Sequence, residues 1–80
     1  MARRSIKKTA RETFAENVRR RRRDLGLSQD HFAGVAGVHR TYVGAVERCE
    51  KNITLDNIEK FAIALGCSVP ELLEEFTSGK

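Results

Sequence analysis

Tryptophan is absent and aromatic residues make up only 6% of the 80-residue chain, which argues against a stacking platform for unpaired nucleobases. Proline occurs once, so little interrupts a helix. Cys49 and Cys67 are the only two cysteines, too few and too far apart for a zinc ribbon or a C-x-x-C redox pair. No segment approaches the roughly eighteen apolar residues that span a bilayer, and the N-terminus lacks the apolar stretch of a secretion signal. A cytoplasmic address without a membrane partner is expected, and in that reducing compartment two free thiols are favoured over one disulfide. Catalytic chemistry lacks its parts as well. His31 and His39 stand eight residues apart with no acid or cysteine to complete a ligand set, and no His-plus-acid arrangement surrounds Ser28. No metal, no cofactor and no enzyme activity are expected.

What is present is helical periodicity. Apolar residues recur every three or four positions and rarely alternate with polar ones, which makes the chain all-α. Eighty residues suffice for one domain with a single modest core. Residues 1–8 read as a basic, aperiodic arm, and residues 9–77 as the folded domain. Thr9 followed by Glu12 is a capping box that starts helix 1, which runs to about Asp24. Phe14, Val18 and Leu25 share its inner face, and Arg22 falls on that same face, where it needs a buried acid. Gly26 ends the helix and Ser28 caps the next, Gln29 to Ala36, whose inward residues are Phe32, Ala33 and Ala36. After Gly37 comes helix 3, His39 to Arg48, with Val43 and Val46 inward. Thr54 caps helix 4, whose apolar face comprises Leu55, Ile58, Phe61, Ala62 and Leu65; Gly66 ends it. Ser68 and Glu71 form a second capping box around Pro70, and helix 5 then carries Leu72, Leu73 and Phe76. Five short helices are expected.

Charge is unevenly spread. The net charge is +4, but Arg3, Arg4, Lys7, Lys8, Arg11 and the run Arg19 to Arg23 lie toward the N-terminus, whereas Glu71, Glu74 and Glu75 crowd the last helix. One positive pole would attract a polyanion in a salt-dependent way; a solvated charge run is the plainer alternative.

Two helices joined by a tight turn at Gly37-Val38 form the pattern that lays one helix across a DNA backbone and the next into the major groove. The stretch LSQDHFAGVAGVHRTYVGAVER resembles the Cro/repressor-type, or XRE, helix-turn-helix family. Together with NITLDNIEKFAIALGCSVPELL the resemblance covers about residues 14 to 76. Within that family HRTYVGAVER and the proline-free NITL segment are most similar to the controller proteins of restriction-modification systems. The resemblance implies a five-helix, lambda-repressor-like domain with its helix-turn-helix at helices 2 and 3. It also implies a homodimeric transcription regulator that binds double-stranded DNA at a palindromic operator, with RNA polymerase as a further contact. An antitoxin or protein-interaction module with secondary DNA binding is the alternative function.

Particular residues carry this expectation. Gln29 sits where free backbone N–H groups and the helix dipole favour a phosphate. His39, Arg40, Thr41 and Tyr42 open helix 3; His39, Arg40 and Thr41 are expected to face bases, and Arg40 is the leading reader because a guanidinium pairs bidentately with guanine O6 and N7. Thr41 suits a thymine methyl or an acceptor, with a surface role as its alternative. Tyr42 either reaches a phosphate or packs on the core edge. Gly44 and Ala45 fall where relatives carry longer polar readers, so they offer a shallow base-facing surface that leaves specificity to Arg40, Thr41 and DNA shape. Arg48, Lys51 and Asn52 follow helix 3 as backbone contacts or a solvated loop, with Arg48 or Asn52 as additional base contacts. Arg19 and Arg23 are expected on phosphates, and Arg20 and Arg21 in solvent. The resemblance pairs Arg22 with Glu47 as a structural ion pair, and it makes Cys49 stand where glycine is common. Ile63, Val69, Leu73 and Phe76 exceed the needs of a monomer core and are expected at the dimer interface, or else buried in the monomer.

Overall fold

A computed structural model describes residues 8–75; the expectations for the arm at 1–7 and for Phe76 lie outside these residues. Five helices follow in order: α1 (Ala10–Asp24), α2 (Gln29–Ala36), α3 (Arg40–Glu47), α4 (Leu55–Leu65) and α5 (Val69–Leu73). No strand occurs among the described residues.

Local chemistry accounts for each boundary. The Thr9 hydroxyl accepts from Glu12 N at 3.1 Å while the Glu12 carboxylate accepts from Thr9 N at 2.9 Å, closing the capping box of α1. Ser28 and Thr54 accept from His31 N and Asn57 N, and Ser68 with Glu71 repeats the reciprocal cap at α5. His39, expected inside α3, is instead its N-cap and makes no side-chain cap, so the helix begins one residue later. At its other end α3 closes in a Schellman turn: Glu50 N donates to Ala45 O at 2.8 Å and Cys49 N to Val46 O at 2.9 Å. That turn needs a left-handed residue after the cap. Gly37 fills the corresponding place after α2 at φ 75°, but after α3 the place belongs to Cys49 at φ 62°.

The helices close around Phe61. Its ring meets Phe14 at 6.0 Å, Phe32 edge-on at 5.2 Å and Tyr42 edge-on at 6.1 Å between centroids, so one side chain of α4 joins α1, α2 and α3. Val18, Val43 and Leu72 complete the fully buried set. Beside them Asn17 is buried but satisfied. Its Nδ2 donates to Leu72 O at 2.8 Å and to Glu74 O at 2.7 Å, and its Oδ1 accepts from Arg20, tying the short α5 to α1.

Two residues expected in the core are outside it. Leu25 is 53% exposed because α1 ends at Asp24 and the chain turns through Gly26, so a periodicity extended to position 25 no longer applies. Leu55 is 76% exposed because it opens α4, one turn before Ile58, the first residue of that helix to be buried.

A non-glycine residue in the left-handed region bears roughly 1–2 kcal/mol of steric cost. Cys49→Gly is therefore expected to raise stability by about 1 kcal/mol in urea unfolding. An unchanged or lower midpoint would show that the cysteine side chain offsets its own backbone strain.

Candidate nucleic-acid interface

Helix α3 is held from behind by one carboxylate. Arg22 Nε donates to Glu47 Oε2 at 2.6 Å and Arg22 Nη2 to Glu47 Oε1 at 2.9 Å, a bidentate pair between α1 and α3 with both residues below 10% exposure. The third guanidinium nitrogen donates to Leu27 O at 2.8 Å, so the inward arginine is fully used. Gln29 Nε2 adds a bond to Glu47 Oε1 at 3.0 Å from α2, and Arg19 Nη2 donates to Glu47 O at 2.9 Å, satisfying a carbonyl at the C-terminal end of α3. Burial alone would push the Glu47 carboxyl pKa up. The hydrogen bonds from Arg22 and Gln29, with the charges of Arg22 and Arg19, together outweigh burial and hold it below its ordinary value.

The opposite face of α3 is open. Arg40, Thr41, Gly44 and Arg48 line a surface cavity of about 210 Å³, closed on its far side by Gln29 and Asp30 at the start of α2. Arg40, Gly44 and Arg48 are spaced by four residues and so form one stripe along the helix. Arg40 and Thr41 are exposed, and Thr41 Oγ1 lies 3.2 Å from His39 Nδ1 in a local contact between neighbours. Asp30, an acid beside two arginines, is the member of this cavity that sequence reasoning missed; it stands in the first turn of α2, where the helix dipole favours a negative charge.

Several assignments change. Ala45 is 8% exposed and turned inward, one hundred degrees around the helix from Gly44, so it cannot present a base-facing surface. Gly44 is covered by Arg48 and Gln29 and forms a floor, not a reader. Tyr42 packs its half-buried ring on Phe61, and its hydroxyl accepts from Asn57 Nδ2 at 3.0 Å, which leaves the phenolic proton to donate. Gln29 has its amide nitrogen turned toward Glu47, which makes it a brace for α3 in this structure. Arg19 likewise serves the end of α3. Asn52 accepts from Arg11 Nη1 and lines a separate groove with Ala10, Phe14 and Leu73, away from the α3 stripe. Arg20 and Arg21, expected in solvent, are half-buried. Arg23 and Lys51 are exposed, and Arg48 pairs with Glu50 at 3.1 Å.

At the expected dimer face Ile63 is 80% exposed and Leu73 42% exposed, whereas Val69 packs partly onto the core. Both cysteines are free thiols. Among the described residues no group of three or more His, Cys, Asp or Glu side chains could hold a metal ion, and no helix is long and apolar enough to cross a membrane.

The Helix-turn-helix family model HTH_3 matches residues 18–72, which include every residue of the brace and of the α3 stripe. The chain belongs to this helix-turn-helix family. It is of the XRE type, a family of DNA-binding transcription regulators. The chain is 52% identical over 62 residues to control protein C.SmaI of Serratia marcescens, covering 78% of this chain and 74% of the relative. Control protein C.BamHI of Bacillus amyloliquefaciens is 40% identical over 67 residues, covering 82% and 83% of the two chains. Among solved structures, the hypothetical transcription factor NHTF from Neisseria superposes with a TM-score of 0.83 at 43% identity, over 94% of this chain and 86% of that one. The restriction-modification controller protein C.AhdI from Aeromonas hydrophila gives 0.74 at 42% identity, over 78% and 94%.

Removing one partner of a buried ion pair strands the other. Glu47→Gln is expected to destabilise the helix-turn-helix domain by about 3 kcal/mol at neutral pH. Because the folded carboxyl titrates below its ordinary value of 4.5, the stabilisation is present above that pH and is lost as pH falls through the depressed folded value. The deficit of the variant relative to its parent should therefore shrink in acid. Urea unfolding at a series of pH values checks this, and a deficit independent of pH would contradict it.

Proposed function

We propose that the chain is a homodimeric transcription regulator that binds a palindromic operator and serves as the controller protein of a restriction-modification system. The observation that carries this reading is the open face of α3: exposed Arg40 and Thr41 at the leading end of a helix whose rear is pinned to α1 and α2 through Glu47. Such a helix enters a major groove with little loss of backbone freedom, because its orientation is set before DNA arrives. Arg40 reads guanine and Thr41 an adjacent methyl or acceptor. Arg23 and Lys51 supply phosphate contacts around the same face, as do the backbone N–H groups at the start of α2.

One recognition helix reads too few base pairs for a unique site. The strongly exposed Ile63 on α4 and the partly exposed Leu73 on α5 support pairing of two copies through these helices, which pack against each other. The two copies of α3 would then meet half-sites about one helical turn apart. The similarity to named control proteins supports the controller role.

Two outcomes test the reading. Affinity for a selected operator should fall roughly a thousandfold between 50 and 200 mM salt if each dimer neutralises about six phosphates. Weak binding that is blind to sequence would contradict it. In sedimentation velocity the parent should be a dimer at micromolar concentration and Ile63→Asp a monomer with at least tenfold weaker operator binding; a parent that stays monomeric would overturn the dimeric arrangement.

A further inference from the structure

Gly44 is the middle member of the Arg40, Gly44, Arg48 stripe, and the space its side chain would fill is taken by Arg48. A Cβ built on Gly44 would stand 3.1 Å from Arg48 Nη1, 3.9 Å from Arg48 Cζ and 3.5 Å from Gln29 Oε1. The first of these is closer than an ordinary carbon contact, so the guanidinium lies back over the bare helix and depends on the missing side chain for its seat. Position 48 is the C-cap of α3, where the main chain departs through Cys49, yet its side chain returns to the cavity that Arg40 and Thr41 line. Glu50 holds it by the inner nitrogen. The Arg48 Nε to Glu50 Oε2 distance is 3.1 Å, while Nη1 lies over Gly44. The two Nη nitrogens form the planar fork that matches guanine O6 and N7.

We infer that Arg48, seated across Gly44, is a second specificity-determining residue of this chain and reads a guanine further along each half-site than the base read by Arg40. The inference rests on the DNA-binding reading above, and it gives Arg48 a base edge in addition to any phosphate. It accounts for a recognition helix that has lost its central reader without becoming featureless: the contact comes from the next turn, folded back over glycine. Glu50 occupies the Nε side of the guanidinium, so an approaching base edge meets its Nη side.

The test selects bound sequences from a random double-stranded pool with the parent, Gly44→Ala, Arg48→Ala and the double variant. Gly44→Ala is a sound probe because alanine favours helix and the only close neighbour is the far end of a flexible side chain. The parent should select two separated guanine preferences in each half-site. Each single variant should lose the second preference by about tenfold or more and keep the first, and the double variant should be no worse than either single one. Variants that all return the parent motif overturn the inference, as does an Arg48→Ala variant that weakens every sequence equally, the signature of a phosphate contact. A parent that selects no motif overturns the DNA-reading proposal itself and this inference with it.

Discussion

The carboxylate of Glu47 is the point on which the arrangement of the first three helices turns. It accepts two hydrogen bonds from α1 through Arg22 and one from α2 through Gln29, while the carbonyl of the same residue accepts a fourth from Arg19. A charge this deeply buried is tolerated only when its lone pairs are answered, as the bonds from Arg22 and Gln29 answer them. Desolvating both ions offsets most of the energy of the pair, so its chief consequence is directional. Apolar contacts through Val43 and Val46 would hold α3 against the core but would tolerate some rotation about its axis. A bidentate pair at one end of the helix does not, and rotation about that axis is the motion that would carry Arg40 out of a groove.

This division of labour gives α3 a side for each task. Val43 and Val46 face the aromatic core gathered around Phe61, Glu47 faces the two helices that brace it, and Arg40, Thr41 and the Gly44 floor face outward. Eight residues are enough because the functions lie on different sides of one cylinder. The strain at Cys49 belongs to the same design. The chain turns directly after α3, and a left-handed residue makes that turn in one step.

Most helix boundaries were legible in the sequence because capping is local; α3 is the exception, since its N-cap His39 makes no side-chain bond and Cys49, not glycine, turns the chain after it. Thr9 with Glu12, Ser28, Thr54, and Ser68 with Glu71 each declare a helix start within four residues, and Gly26, Gly37 and Gly66 declare ends. Side-chain destinations were less legible. Five consecutive arginines visit every side of α1, and which of them turns inward is decided by partners outside the run: Glu47 for Arg22 and Arg19, and Asn17 for Arg20. The Arg22–Glu47 separation of 25 residues obeys no local rule, so only the family resemblance could suggest it. Gly44 and Ala45 are adjacent and both small, yet one floors the open cavity and the other is packed inside, a distinction that depends on the helix phase. The roles of Gln29 and Asn52 were obscured for a related reason. An amide can serve DNA or protein, and composition does not say which.

The most direct measurement of the central claim replaces the buried pair as a unit, Arg22→Met with Glu47→Leu, and reads unfolding and operator binding on the same preparation. If the pair serves chiefly to aim α3, the double variant keeps an unfolding midpoint close to the parent's, since apolar substitution of a whole buried pair is often neutral, but binds the operator at least tenfold more weakly. A double variant that is equally stable and binds with undiminished affinity would contradict this, because core packing alone would then be aiming the recognition helix.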